Sequence, residues 1–171
     1  MKKLAIILGL CLVTLLTQMG CAINGDNTSN LESKKQVAVA VVHSTATGLG
    51  EVLKDYQGET ERTNFIRTYV DKIRFYTDQT GYFFVYNYDC LNIALPNPKE
   101  LEGQNLYNHQ DSKGNFPIRE MSAAAKKGGG FVEYFWVNPV STSKDEQRKI
   151  SYVEPIPGTD YFIGAGVYTE N

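Results

Sequence analysis

The sequence predicts an α+β domain in which long N-terminal helices pack on a central antiparallel sheet of about five strands. Apolar residues recur at spacings of three and four over the first part of the chain, the period of one helix face. From Gly81 onward the pattern changes to short runs rich in aromatic and β-branched residues, broken by Gly, Pro, Asn and Asp. Helices first and strands afterwards describe an α+β arrangement, not a doubly wound one.

The chain opens MKKLAIILGLCLVTLLTQMGC. Lys2 and Lys3 precede an apolar run from Leu4 to Leu16, short for a bilayer span, with small residues behind it. This is the composition of an export signal, residues 1–20. Two cleavages fit. A cut after Ala22 releases a secreted chain, whereas a cut before Cys21 leaves a cysteine for lipidation and a lipid anchor in the membrane. The polar run AINGDNTSN behind Cys21 reads as a flexible tether and favours the anchor. The expected division is therefore a signal peptide at 1–20, a tether at 21–32 and one domain at 33–171. The expected location is extracytoplasmic, in the periplasm or at the cell surface.

The formal net charge is −2, and loss of Lys2 and Lys3 makes the exported chain more acidic. Without a basic patch, nucleic acid is not expected as a partner. Of three cysteines, Cys11 lies in the leader and Cys21 at its end, so Cys90 has no disulfide partner and no Cys-rich metal site exists. No cofactor is expected. Nothing after Leu16 is long and apolar enough to cross a membrane, so the sequence predicts an output through a separate protein.

Val39, Val42, Ala46, Leu49, Leu53 and Tyr56 define the apolar face of a first helix, about 32–57. Gly48 and Gly50 weaken it by about 1 kcal/mol each unless they mark close packing or a bend. Ile66, Tyr69, Ile73 and Tyr76 define a second helix, about 60–77. GYFFVYNY and LNIAL then read as a hairpin turning at Asp89-Cys90. The turn-rich run PNPKELEGQNLYNHQDSKGN is long for a connection, which predicts a functional loop. Pro117 can open a short helix that Gly128 closes. FVEYFWV, RKISYVEPI and YFIGAGVY complete the strands.

Strand alternation places Tyr82, Phe84 and Tyr86 on one face and Phe83 and Val85 on the other. Tyr134 and Trp136 likewise share a face. Two such strands offer either a filled core or an apolar pocket wall carrying a few O–H and N–H donors. Lys149 can present an ammonium to an anionic ligand or stand in solvent on an edge strand. Arg74 can clamp a carboxylate, oppose the negative end of its helix, or pair with Asp71 or Asp78. Asp111 and Asp160 read as turn formers. His43 and His109 lie far apart, with no GxSxG, HExxH or CxxC near either, so no enzyme is predicted.

The blocks IRFYTDQTGYFFVYNYD, ALPNPKELEGQN, DSKG, GGGFVEYFWVNP and KISYVEPIPGTDYFIGAGVY, in this order, resemble the single Cache domain. That family is the extracytoplasmic, PAS-like sensing module of bacterial chemoreceptors and sensor kinases. The resemblance covers residues 34–168. It implies a long N-terminal helix, a central antiparallel sheet and a small-molecule pocket on the sheet face away from that helix, often for organic acids, with no catalysis. It implies a ligand-binding set of Arg74, Tyr82, Phe84, Tyr86, Tyr134, Trp136, Lys149 and Tyr152. It also implies a membrane sensor kinase or chemoreceptor as partner. The departures are Leu95 where members often carry His, Asn138 where they often carry Lys, and Cys90 in place of a turn glycine. The rival expectation is a domain that has lost its ligand and acts as a structural or interaction lipoprotein.

Overall fold

A computed structural model of the chain describes residues 23–169, with side-chain surroundings from Thr28 onward. The export signal and Cys21 lie outside the described residues. Helix α1 spans Ile23–Val52 and continues into a 3-10 turn at Leu53–Asp55; α2 spans Glu59–Asp71. Strands β1 (Phe83–Asn87) and β2 (Asn92–Ala94) form a hairpin, followed by the long loop. Helix α3 (Pro117–Lys126) precedes β3 (Gly130–Val137), β4 (Glu146–Pro155) and β5 (Tyr161–Tyr168). The five strands form one antiparallel sheet in the order β2-β1-β5-β4-β3. The last strand in sequence is therefore the middle strand in space.

Two boundaries and one core position differ from the sequence reading. Helix α1 already begins at Ile23, so residues 23–32 of the expected tether are helical. Helix α2 stops at Asp71 instead of near 77. Beyond it Phe75 pairs with Gly81, and Tyr76 and Gln79 take left-handed backbone angles that end any helix. Val70, fully buried, occupies the core position expected of Tyr69, which is exposed.

Each face of the sheet buries its own core. Val42, Ala46 and Leu49 of α1 and Leu53 of the turn behind it, with Ile66 and Val70, cover Phe83, Val85, Ile93, Ile163 and Ala165. On the opposite face Ile118, Met121 and Ala125 of α3, with Leu106 of the loop, cover Tyr82, Phe84, Tyr86, Tyr134, Trp136 and Phe162. Pro117 opens α3 at its first turn, where the missing N–H is no loss, and Gly128 follows it with φ +102°.

Glycines on the middle strand shape the second core. A Cβ at Gly164 would lie 2.5 Å from the Phe84 ring, and one at Gly166 would lie 2.2 Å from Ser151 Oγ and 2.6 Å from the Ile150 carbonyl. The side chains of β1 and β4 thus lean over β5 into space that β5 leaves open. The long loop is tied down by Asp111, which is 5% exposed. Its carboxylate accepts from the backbone of Lys113 and Asn115, from the Asn115 amide, all at 2.9 Å, and from the Phe135 backbone N–H at 3.0 Å. Burial alone would raise its pKa. The four donors outweigh burial and hold it below the usual carboxylate value.

Two outcomes follow for stability. Asp111→Ala leaves several donors without an acceptor and should cost about 2–4 kcal/mol in urea unfolding. Because the folded pKa is depressed, the wild-type advantage should be full above about pH 4 and fade as pH falls through the folded value. Gly166→Ala meets backbone, which cannot swing aside, and should cost about 1–3 kcal/mol with unchanged secondary structure by circular dichroism.

Candidate functional site

Residues of alternate parity on β1 and β3 reach the α3 side of the sheet, so Tyr82, Phe84 and Tyr86 meet Tyr134 and Trp136, as strand alternation predicts. With Leu95, Ile118 and Met121 these side chains line a cavity of about 10 Å3, room for about one water molecule. The face is therefore nearly filled, and a larger guest requires α3 or the long loop to move outward. Leu95, noted in the sequence as a departure, is one of the walls.

Lys149 is the polar element of this face. It is the fourth residue of β4, an inner strand between β5 and β3, so the solvated edge position is not where it lies. Its residue exposure is 1%. Nζ donates to Tyr82 Oη at 2.8 Å and sits 4.0, 4.8 and 5.6 Å from the ring centres of Tyr82, Tyr168 and Phe84. Among the described residues no carboxylate pairs with it, and burial pushes its pKa well below the ordinary lysine value. An ammonium here has three N–H donors and one protein acceptor, which leaves two directions for an anion.

The hydrogen bonds around Lys149 have a fixed polarity. Tyr168 donates its hydroxyl proton to the Val137 carbonyl at 2.8 Å, so at 3.2 Å its oxygen accepts from Tyr82. Tyr82 has then spent its own proton and can only accept from Lys149. The run goes Lys149 to Tyr82 to Tyr168 to Val137, and it leads to an open polar crevice of about 390 Å3 bordered by Tyr168, Lys34, Asp78 and Gln147. Burial pushes the Tyr82 pKa up to about 12. Tyr134 bonds Ser151 Oγ at 3.0 Å on the same face.

Of the predicted site residues, Tyr152 is not brought to this place, and Arg74 makes no hydrogen bond there although its charge reaches Tyr82. Tyr152 has the parity opposite to Lys149, packs on the core beneath the helices and stacks edge-on against Phe131 at 5.2 Å. Arg74 follows α2, and its Nη1 donates to the carbonyls of Asp71 at 2.9 Å and Ile73 at 2.8 Å. It holds orphan carbonyls at the end of its helix, in favourable interaction with the negative terminus. Asp111 is a turn former, as expected.

Sequence reasoning missed four contributors. Ile118 and Met121, at helical spacing in PIREMSAAAK, form the roof. His109 lies over Trp136 with ring centres 5.0 Å apart, and its Nε2 is buried without a hydrogen-bond partner. Asn92 is fully buried, and neither its Oδ1 nor its Nδ2 has a partner. Only the amphipathic spacing of α3 was available as a signal. Among the described residues no group of three His, Cys, Asp or Glu side chains could hold a metal ion, and no helix is long and apolar enough to cross a membrane.

Comparison with known proteins agrees with this architecture. The family model dCache_2, a Cache domain, matches residues 18–171. The sensor histidine kinase MctS of Rhizobium johnstonii is 38% identical over 91 residues, 53% of this chain but 19% of that protein. The chain thus spans about a fifth of that relative's length. Among solved structures, a periplasmic sensor domain of a chemotaxis protein superposes with a TM-score of 0.69 at 25% identity, covering 82% of this chain and 98% of that one. A Cache chemosensory domain studied for carboxylic acid recognition gives 0.70 at 26% identity, covering 84% and 98%. A long helix on one face of a five-stranded antiparallel sheet, an aromatic site on the other face, and a family match over nearly the whole chain lead to one conclusion: this chain belongs to the Cache domain family of extracytoplasmic sensor modules.

Proposed function

We propose that the chain binds a small organic carboxylate on the α3 face of the sheet, with the carboxylate against Lys149 and Tyr82 and the remainder between Phe84, Tyr86, Tyr134 and Trp136. The observation that carries this reading is a buried lysine that no carboxylate among the described residues pairs with. An isolated buried ammonium costs several kcal/mol, and an anionic guest with two oxygens supplies both the missing charge and the missing acceptors. The likeness to a Cache domain studied for carboxylic acid recognition supports the same class. Because the site is nearly filled, binding selects an arrangement with α3 and the long loop displaced, and a partner reads that shift. The partner in this reading is a separate membrane protein, a sensor kinase or chemoreceptor. The chain itself is exported and anchored through lipidated Cys21. No catalytic step belongs to this reading.

A second reading rests on the cavity of about 10 Å3. A face so filled also suits a structural or interaction lipoprotein that has given up its ligand. Lys149 separates the two, because a packed apolar face has no use for an unpaired ammonium.

Thermal unfolding of residues 22–171 against small carboxylates, amino acids, amines and purines decides between them. A carboxylate at 100 times its dissociation constant should stabilise the fold by about 2.7 kcal/mol, and Lys149→Met should abolish the effect. No shift across the panel, in well-folded protein, would move the assignment to the interaction lipoprotein.

The same variant has a second signature. With the folded pKa of Lys149 depressed, the unfolded chain holds the extra proton between that value and the unfolded lysine value, about 10.4. Stability of the ligand-free protein should therefore rise with pH across that window, until the buried tyrosines begin to ionise in the unfolded state near pH 10. Lys149→Met should flatten the rise and add on the order of 1–3 kcal/mol at neutral pH, measured by urea unfolding.

A further inference from the structure

The site has a second polar end that the carboxylate reading does not use. Strand β2 carries one extra residue opposite β1, so Val85 faces Ala94 while Tyr86 faces Asn92. The bulge turns Ile93 and Ala94 toward the helices and sets Asn92 beside Tyr86 on the α3 side. The carboxamide faces the Tyr86 hydroxyl and, as a donor toward it, offsets part of that group's burial-raised pKa, but neither amide atom meets a partner at full hydrogen-bond distance and angle. Asn92 is 0% exposed. Its backbone is fully occupied, bonding Gln104 at 2.9 Å and Gly103 at 2.8 Å, so the side chain is left over for something else. A buried amide with a donor and an acceptor unmet carries the desolvation cost of both groups.

Arg67 and Glu102 are spent on the backbone beside Asn92, bonding the Ile93 carbonyl at 2.7 Å and the Leu95 N–H at 3.0 Å, and no charged side chain lines the cavity. The side chains that line the cavity are Tyr82, Phe84, Tyr86, Leu95, Ile118, Met121, Tyr134 and Trp136, all uncharged. Tyr86 lies four positions beyond Tyr82, about 13 Å along the extended chain. The face thus has a cationic pole at Lys149 and Tyr82 and a neutral, hydrogen-bonding pole at Tyr86 and Asn92, with rings between them.

Resting on the carboxylate reading above, we propose that Asn92 is a specificity-determining residue, and that the site selects monocarboxylates carrying an uncharged hydrogen-bonding group, such as a hydroxyl or carboxamide, at the far end from the carboxylate. A hydroxyl there gives its proton to Oδ1 and accepts one from Nδ2. A plain alkyl acid leaves both unmet. A second carboxylate or an ammonium is desolvated at that pole with no opposite charge to receive it.

The test is calorimetric titration of the mature chain with matched acids: butanoate and 4-hydroxybutanoate, hexanoate and 6-hydroxyhexanoate, with succinate and 4-aminobutanoate as charged controls. In at least one matched pair the hydroxy acid should bind about tenfold more tightly than its plain partner, and both charged controls more weakly than 4-hydroxybutanoate. Asn92→Leu should remove that preference and leave the affinity for the plain acid unchanged or higher. If Asn92→Leu does not fold, Asn92→Asp keeps the volume and should turn the preference toward 4-aminobutanoate. Equal binding within both pairs overturns the proposal, as does a uniform loss of affinity in Asn92→Leu or an unchanged ranking in Asn92→Asp. If no carboxylate binds at all, the carboxylate reading falls and this proposal falls with it. If plain and hydroxy acids bind alike, only this proposal falls.

Discussion

An amine held among aromatic rings, with one hydroxyl to bond and no carboxylate among the described residues paired to it, sets the terms for the rest of this structure. Lys149 can lie there because β4 is an inner strand, while Gly166 and Gly164 on β5 leave room for Ser151, Val153 and the Phe84 ring on the same face. Those glycines in turn depend on β5 being the middle strand, which requires the chain to return from the sheet's edge to its centre at the end of the sequence. The helices on the opposite face secure that sheet with an ordinary apolar core and leave the α3 face free to be polar in places. The two sides of the sheet have divided the work: one supplies stability, the other holds groups whose hydrogen-bonding capacity is not met within the protein.

The fold was largely readable from the chain. The change from helical period to alternation at Gly81, the proline that opens α3 and the glycine after it are local signals, and local signals survive into the structure. The limits of α2 were not readable, because Ile73 and Tyr76 keep helical spacing past Asp71. What ends the helix is a tertiary event, the pairing of Phe75 with Gly81. The same division applies to the site. Tyr82, Phe84 and Tyr86 announce a common face by parity alone, and Tyr134 and Trp136 do likewise. The burial of Lys149 was not announced, since strand order in the sheet is not encoded in strand order along the chain. Tyr152 shows the opposite hazard: a sequence block placed it with Lys149, although three residues along a strand put two side chains on opposite faces. Asn92 escaped because a bulge in a three-residue strand shifts parity, and no pattern in LNIAL marks the bulge.

The parity of β4 has a mechanical consequence. Lys149 and Ser151 belong to the aromatic side, while Tyr152 packs beneath the helices and Glu154 bonds His43 of α1 at 3.1 Å. One ribbon therefore has its odd residues in the site and its even residues against the long helix. A displacement of β4 caused at Lys149 reaches α1 through covalent bonds of a single strand, with no intervening layer of side chains to absorb it. In engineering terms β4 is a shared member between two compartments, and its stiffness sets how faithfully movement in one is copied in the other.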